Sequence, residues 1–248
     1  MLWLRSGLYI AWLIATVVPW AVAVLVVSIF IRGSRLYWFT DVWMRGSIWG
    51  ARWICGVQYR LHGFENLPDG PVVLLSKHQS AWETLAYPAL LPRPLCYVFK
   101  RELLYVPFFG WAMSRLDMVH IDRSKRAQAW AKVAEQGGRY MQEGNWVIMF
   151  PEGTRVERGT QGVYKSGGTR LAVAAGVPVL PIAVSSARCW PRKSFLLRPG
   201  VIDVSFGKPI ASEGRESDEL MREVEAWIEH EMRRIDAPAY AVQRTQAP

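Results

Sequence analysis

A chain of 248 residues, 51% of them hydrophobic, can bury one sizeable core, and neither its length nor its composition asks for a second domain. The formal charge of +9 favours anionic partners such as phospholipid headgroups, acidic carrier proteins or nucleic acid, but the basic residues are scattered and no recognition motif points to nucleic acid. Cys55, Cys96 and Cys189 are widely spaced and form no CxxC pair, which excludes a disulfide framework or a zinc site and places the folded part in a reducing compartment.

From Gly7 to Ile31 the chain carries no charge, and these 25 residues exceed the roughly 20 that a helix needs to cross a bilayer core. They are too long for a secretory apolar segment and lack a small-residue cleavage site, so they read as a retained membrane helix, kinked or broken at Pro19. Leu36 to Cys55 mixes Trp, Tyr, Phe and Ile with Asp41, Arg45 and Arg52, which suits an amphipathic helix at the interface or a core-packing helix. Seven of the 13 tryptophans fall before residue 56, a membrane-interface habit. Residues 1–55 are therefore expected to be membrane-anchoring helices.

Beyond them the pattern is globular. Strands are predicted at Val57 to Leu61, Val72 to Ser76, Leu95 to Phe99, Met118 to Ile121, Trp146 to Phe150, Val177 to Val184 and Val201 to Phe206. Helices are predicted at Ser80 to Leu91, Lys125 to Gln142, Gly168 to Ala175 and Ser217 to Ile235. This alternation predicts an α/β layered domain over 56–236, with a largely parallel central sheet flanked by helices. Residues 237–248, rich in Ala, Gln and Pro, are expected to be a disordered tail.

His78 directly follows a predicted buried strand, where sites form in α/β sheets, and Glu83 comes five residues later at the start of a helix. The pair can act as a general base and the carboxylate that orients it. Ser80 and Glu83 also spell a capping box, S-x-x-E, which needs no catalysis. In Phe150-Pro151-Glu152-Gly153-Thr154-Arg155, Pro and Gly make a tight turn and Arg155 can grip a phosphate; the alternative is a plain turn with a solvated Arg. Lys100 and Arg101 stand beside the apolar run Pro107 to Trp111, suiting a ligand with an anionic head and an apolar tail, or merely solvated charges next to a core helix. Lys165-Ser166-Gly167-Gly168-Thr169 opens a helix in a manner that favours an anion but lacks P-loop spacing. No GxSxG, HExxH or GxGxxG is present, so no covalent nucleophile, metal or bound cofactor is indicated.

In this order the segments resemble the glycerolipid acyltransferase family of lysophosphatidic acid acyltransferases. Its H-x4-D block is matched by His78 and, with a longer side chain, Glu83; the second block by Lys100, Arg101, Leu103, Pro107 and Gly110; the third by Phe150 to Arg155; and the fourth, V-P-x-x-P, by Val177, Pro178 and Pro181. Gly63 to Pro68 and Ile121-Asp122-Arg123 also look like family features, and the likeness spans about residues 57 to 210. It implies acyl transfer from acyl-CoA or acyl carrier protein to the sn-2 hydroxyl of 1-acylglycerol-3-phosphate, yielding phosphatidic acid. His78 would be the base and Glu83 its orienter. Lys100 or Arg101, with Gly153, Thr154 and Arg155, would bind the phosphate, Glu152 would bind the glycerol region, and backbone N–H groups near His78 or Lys100 would meet the oxyanion. Alternatives are another acceptor, such as a lyso-ornithine lipid or glycerol-3-phosphate, and a non-catalytic lipid-binding protein.

The substrates imply a catalytic domain on the cytoplasmic face of the inner membrane, and Arg32, Arg35, Arg45 and Arg52 after the apolar stretch, against Arg5 before it, agree with the positive-inside rule. A full crossing and a shallow helix pair in one leaflet both satisfy it.

Overall fold

The computed structural model describes residues 1–122 and 124–244, the side chains of 126 and 242–244 excepted. Two long helices come first, α1 (Leu2–Val27) and α2 (Gly33–Cys55). They are followed by β1 (Val57–His62), β2 (Val73–Ser76), α3 (Trp82–Leu90), β3 (Leu95–Lys100), α4 (Phe109–Met113) and β4 (Val119–Ile121). Then come α5 (Arg126–Lys132), a π-helical turn at Val133–Gly137, α6 (Gly138–Gln142), β5 (Trp146–Met149), α7 (Gly167–Ala175) and β6 (Val179–Val184). The fold closes with β7 (Gly200–Phe206), α8 (Ser217–Ile235) and α9 (Ala237–Arg244).

The described strands form a seven-stranded sheet in the order β1-β7-β6-β2-β5-β3-β4. All neighbours are parallel except β6 and β7, which pair antiparallel. The expected α/β architecture is thus present. The central strands read as continuous apolar runs because both faces of the sheet are covered. In β2, Leu74 packs into a layer with Tyr9, Ala51, Trp82 and Tyr87 from α1, α2 and α3. Its neighbours Val73 and Leu75 point the other way, to Leu171 and Ala172 of α7 and Leu220, Val224 and Ile228 of α8. The N-terminal helix pair and α7–α8 therefore lie on opposite faces.

Helix α1 is long and apolar enough to cross a membrane, and it continues through Pro19, so of the expected kink or break the break is absent. It pairs with α2: the Tyr9 hydroxyl donates to Ser47 O at 3.1 Å and Trp43 Nε1 donates to Thr16 Oγ1 at 3.0 Å. It also rests on the domain at both ends, where Ser6 Oγ accepts from Leu197 N at 2.9 Å and Val24 packs with Ala112 of α4. Leu4, Leu8, Val18, Val22 and Val26 are exposed and form an outward apolar stripe.

The C-terminal segment departs from expectation. Residues 237–244 are a helix, in place of a disordered tail. Tyr240 is buried against the layer that holds α8 and Ala239 lies against Gly159, contacts that composition does not reveal. Residues 245–248, and Arg123, lie outside the described residues.

Candidate active site

The carboxyl ends of β2, β5 and β3 are neighbours in the sheet, and the three sequence blocks follow these strands. Topology alone therefore gathers His78, Gly153 to Arg155 and Lys100 around one cleft of about 920 Å³.

His78 Nδ1 lies 3.2 Å from Glu83 Oε2, and the ring stacks on Phe150 with centroids 3.9 Å apart. Glu83 is fully buried. Its Oε1 accepts from Gln79 N and Ser80 N, both at 3.0 Å, and from the Ser186 hydroxyl. Its Oε2 also accepts from Ser80 N at 3.0 Å. The capping geometry and the dyad coexist in one carboxylate: two backbone donors and a hydroxyl lock Glu83, and the locked carboxylate sets the imidazole. A carboxylate at Nδ1 holds the ring proton there and leaves the Nε2 lone pair to accept one.

Glu152 has another place than sequence alone suggests. Its side chain is fully buried, Oε1 accepts from Lys77 Nζ at 2.7 Å and from Gly162 N at 3.2 Å, and Oε2 accepts from His78 N at 3.0 Å. Both oxygens accept from protein donors, and through Oε2 Glu152 fixes the backbone of His78. Burial raises its carboxyl above the usual range, opposed by the charge of Lys77 and by these hydrogen bonds.

Lys77, which sequence reasoning passed over, is fully buried, and its ammonium also donates to Glu229 Oε1 of α8 at 2.6 Å and to Thr160 O at 3.0 Å. Tyr164 donates to the same Glu229 oxygen at 2.8 Å. Arg158 grips Asp236, just past α8, through two bonds of 2.8 and 2.7 Å. Helix α8 thereby braces the whole 151–165 loop. The legible signal was Glu229 itself, a carboxylate on the apolar stripe of Val224, Ile228 and Met232, where a charge requires a buried partner.

Arg155 and Lys100 line the cleft, with Lys100 also 3.9 Å from Glu102. Arg155 has no carboxylate partner among the described residues. Gly153 adopts φ +69°, a backbone conformation that favours glycine, and it lies beside the Lys165 ammonium. Thr154 is exposed at the lip. Arg101, expected in the site, is not among the cleft-lining residues. It lies instead towards His120 and Lys132, both held below their usual pKa first by burial and then by neighbouring cations that include Arg101. The turn amides of His78, Gln79 and Ser80 are taken by Glu152 and Glu83, so they are not the free oxyanion donors that sequence suggests.

The rest of the lining is apolar, with Tyr97, Phe99, Val133, Met149 and Phe150, and it is cationic, with Lys165, Arg170, Arg192 and Lys193. No Asp or Glu is among the described lining residues. Such a cleft suits an amphiphile with an anionic head beside a base. Among the described residues no group of His, Cys, Asp and Glu could hold a metal ion.

Residues 58–185 match the family model described as Acyltransferase. The chain is 44% identical over 205 residues to the 1-acyl-sn-glycerol-3-phosphate acyltransferase of Pseudomonas aeruginosa, covering 82% of this chain and 79% of that one. It is 30% identical over 171 residues to the human 1-acyl-sn-glycerol-3-phosphate acyltransferase alpha, covering 68% of this chain and 60% of the human protein. The fold is similar to the crystal structure of the 1-acyl-sn-glycerophosphate acyltransferase from Thermotoga maritima, with a TM-score of 0.79 at 23% identity over 95% of this chain and 96% of that one.

Proposed function

The chain belongs to the acyltransferase family, and from that premise we propose that it moves a fatty acyl group from a thioester donor to the sn-2 hydroxyl of 1-acylglycerol-3-phosphate, making phosphatidic acid. The observation that carries the proposal is the His78–Glu83 pair set into a cationic, apolar cleft.

In this reading His78 Nε2 takes the hydroxyl proton while the oxygen attacks the thioester carbonyl carbon. The tetrahedral intermediate collapses with cleavage of the C–S bond, the electron pair leaves on sulfur, and His78 returns the proton to give a free thiol. Glu83 holds the ring and offsets the imidazolium charge. Arg155 and Lys100 bind the acceptor phosphate, and the apolar wall of Tyr97, Phe99, Val133 and Met149 takes a fatty chain. No metal or cofactor is needed for these steps.

Membrane association is part of the proposal. The outward stripe of α1 supports burial in lipid, and the contacts of α1 with the domain near Ser6 and again near Val24 support a helix pair lying in one leaflet, since a full crossing would carry one end away from the domain. The donors are cytosolic, which assigns the domain to the cytoplasmic face of the inner membrane.

Arg155→Ala tests the acceptor assignment. A charge-assisted bond to a ground-state phosphate persists through the reaction, so its loss raises KM for 1-acylglycerol-3-phosphate by about tenfold or more with kcat little changed. The wild-type enzyme prefers this acceptor over lyso-ornithine lipid and glycerol-3-phosphate in the same assay. Equal weakening of the variant towards a phosphate-free acylglycerol would give Arg155 a structural task instead.

A further inference from the structure

One acceptor phosphate uses only part of the cationic lining. With Arg155 and Lys100 assigned to it, Lys165, Arg170, Arg192 and Lys193 remain in the same cleft, and none of these pairs with a carboxylate among the described residues.

Their places in the fold divide them. Arg192 and Lys193 belong to the segment before β7 that is tied to the start of α1, where Ser6 Oγ accepts from Leu197 N at 2.9 Å and the rings of Trp3 and Phe195 pack edge to face at 4.9 Å. They stand on the side from which a bilayer-borne substrate arrives. Lys165 lies two residues before α7 and Arg170 lies on it, and α7 packs on the sheet face opposite α1 and α2. The Arg170 guanidinium carbon lies 4.3 Å from the centroid of the Trp130 ring, a cation–π contact that holds an exposed charge at the rim of the cleft. The Lys165 ammonium sits beside Gly153, between this rim and the Glu152 turn.

A thioester donor is water-soluble, and its reactive carbon hangs from a long pantetheine arm that ends in a phosphate, in coenzyme A and in a carrier protein alike. It must reach His78 from the side that lipid does not occupy. We propose that Lys165 and Arg170, with Trp130 supporting Arg170, form the binding site for the phosphate of the donor's phosphopantetheine arm, distinct from the acceptor-phosphate site at Arg155 and Lys100. The site rests on the acyl-transfer reading and adds the donor to it.

The test uses the purified full-length enzyme at saturating 1-acylglycerol-3-phosphate with three donors: palmitoyl-CoA, palmitoyl-acyl carrier protein and palmitoyl-pantetheine, which has no phosphate. Lys165→Ala and Arg170→Ala each raise KM for a phosphorylated donor by about tenfold, the size of one lost charge-assisted contact, and leave KM for the acceptor within about twofold. With palmitoyl-pantetheine the variants and the wild type run alike. A rise with both phosphorylated donors assigns the contact to their common phosphate and supports the site; a rise with palmitoyl-CoA alone assigns it to the nucleotide phosphates and overturns it. An effect on the acceptor KM, an equal loss with palmitoyl-pantetheine, or an effect confined to the carrier-protein donor, which would mean docking of its protein surface, overturns it. Should the Lys165 variant fail to fold, Arg170→Gln on the exposed side of α7 gives the same readout. A wild-type enzyme inactive with every donor would remove the acyl-transfer reading itself, a result separable from a variant that merely keeps wild-type donor KM.

Discussion

His78→Ala lowers the rate of acyl transfer by about 10² to 10⁴, the usual contribution of a positioned general base, while thermal unfolding stays within a few degrees of the wild type. The two outcomes separate because of how the pair is built. Removing the imidazole does not orphan Glu83, which keeps Gln79 N, Ser80 N and the Ser186 hydroxyl as donors. The main-chain bond from His78 N to Glu152 is indifferent to the side chain. What the fold loses is the stack on Phe150, worth about 1 kcal/mol. Initial rates at saturating substrates and a melting curve on the same preparation check both halves. Near wild-type turnover would remove His78 from the chemistry, and a collapsed fold would make it a structural histidine.

Lys77→Met destabilises the protein by about 3 to 5 kcal/mol, because it leaves the buried carboxylates of Glu152 and Glu229 without their shared cation. That corresponds to a fall of roughly 10 °C in melting temperature for a chain of this size. The pH dependence follows from the sign of the charge left behind. An uncompensated buried carboxylate has a folded-state pKa raised above its unfolded value, so the deficit is full at neutral pH and shrinks as pH falls towards the ordinary carboxylate range, where protonation discharges it. Catalysis suffers as well, since Glu152 anchors the His78 amide. The double variant Lys77→Met/Glu229→Met removes one charge of each sign and loses less stability than the sum of the single changes. Additivity of the two substitutions would mean that the ion pair is not energetically coupled.

Much of this architecture was legible from residue pattern, and the reasons are local. Strands such as Val72 to Ser76 announce themselves as unbroken apolar runs because helices cover both faces, and Ser217 to Ile235 shows its buried stripe at helical spacing. The dyad was legible because its two members are close in sequence. The strand order was not, since pairing β2 with both β5 and β6 depends on contacts across the length of the chain. Lys77 escaped for a related reason: beside His78 it looks like a solvated cation, and only the arrival of Glu229, 152 residues later, makes it a buried one. The inward contacts of Glu152 are not legible, because a carboxylate in an exposed-looking Pro-Glu-Gly turn does not show that it folds towards Lys77 and the His78 amide. Sequence leaves Lys100 and Arg101 as alternatives; successive side chains diverge at a strand end, and Lys100 is the one that lines the cleft. The 237–244 helix was missed because its order comes from packing of Tyr240 and Ala239 and not from composition.

The central claim, acyl transfer from a thioester to a lysophospholipid hydroxyl, is tested most directly by following thiol release from palmitoyl-CoA or palmitoyl-acyl carrier protein with the purified enzyme, in the presence and absence of 1-acylglycerol-3-phosphate. Thiol release that depends on the acceptor and matches phosphatidic acid formed mole for mole is the predicted result. No release with either donor, or release that is indifferent to the acceptor, would contradict it.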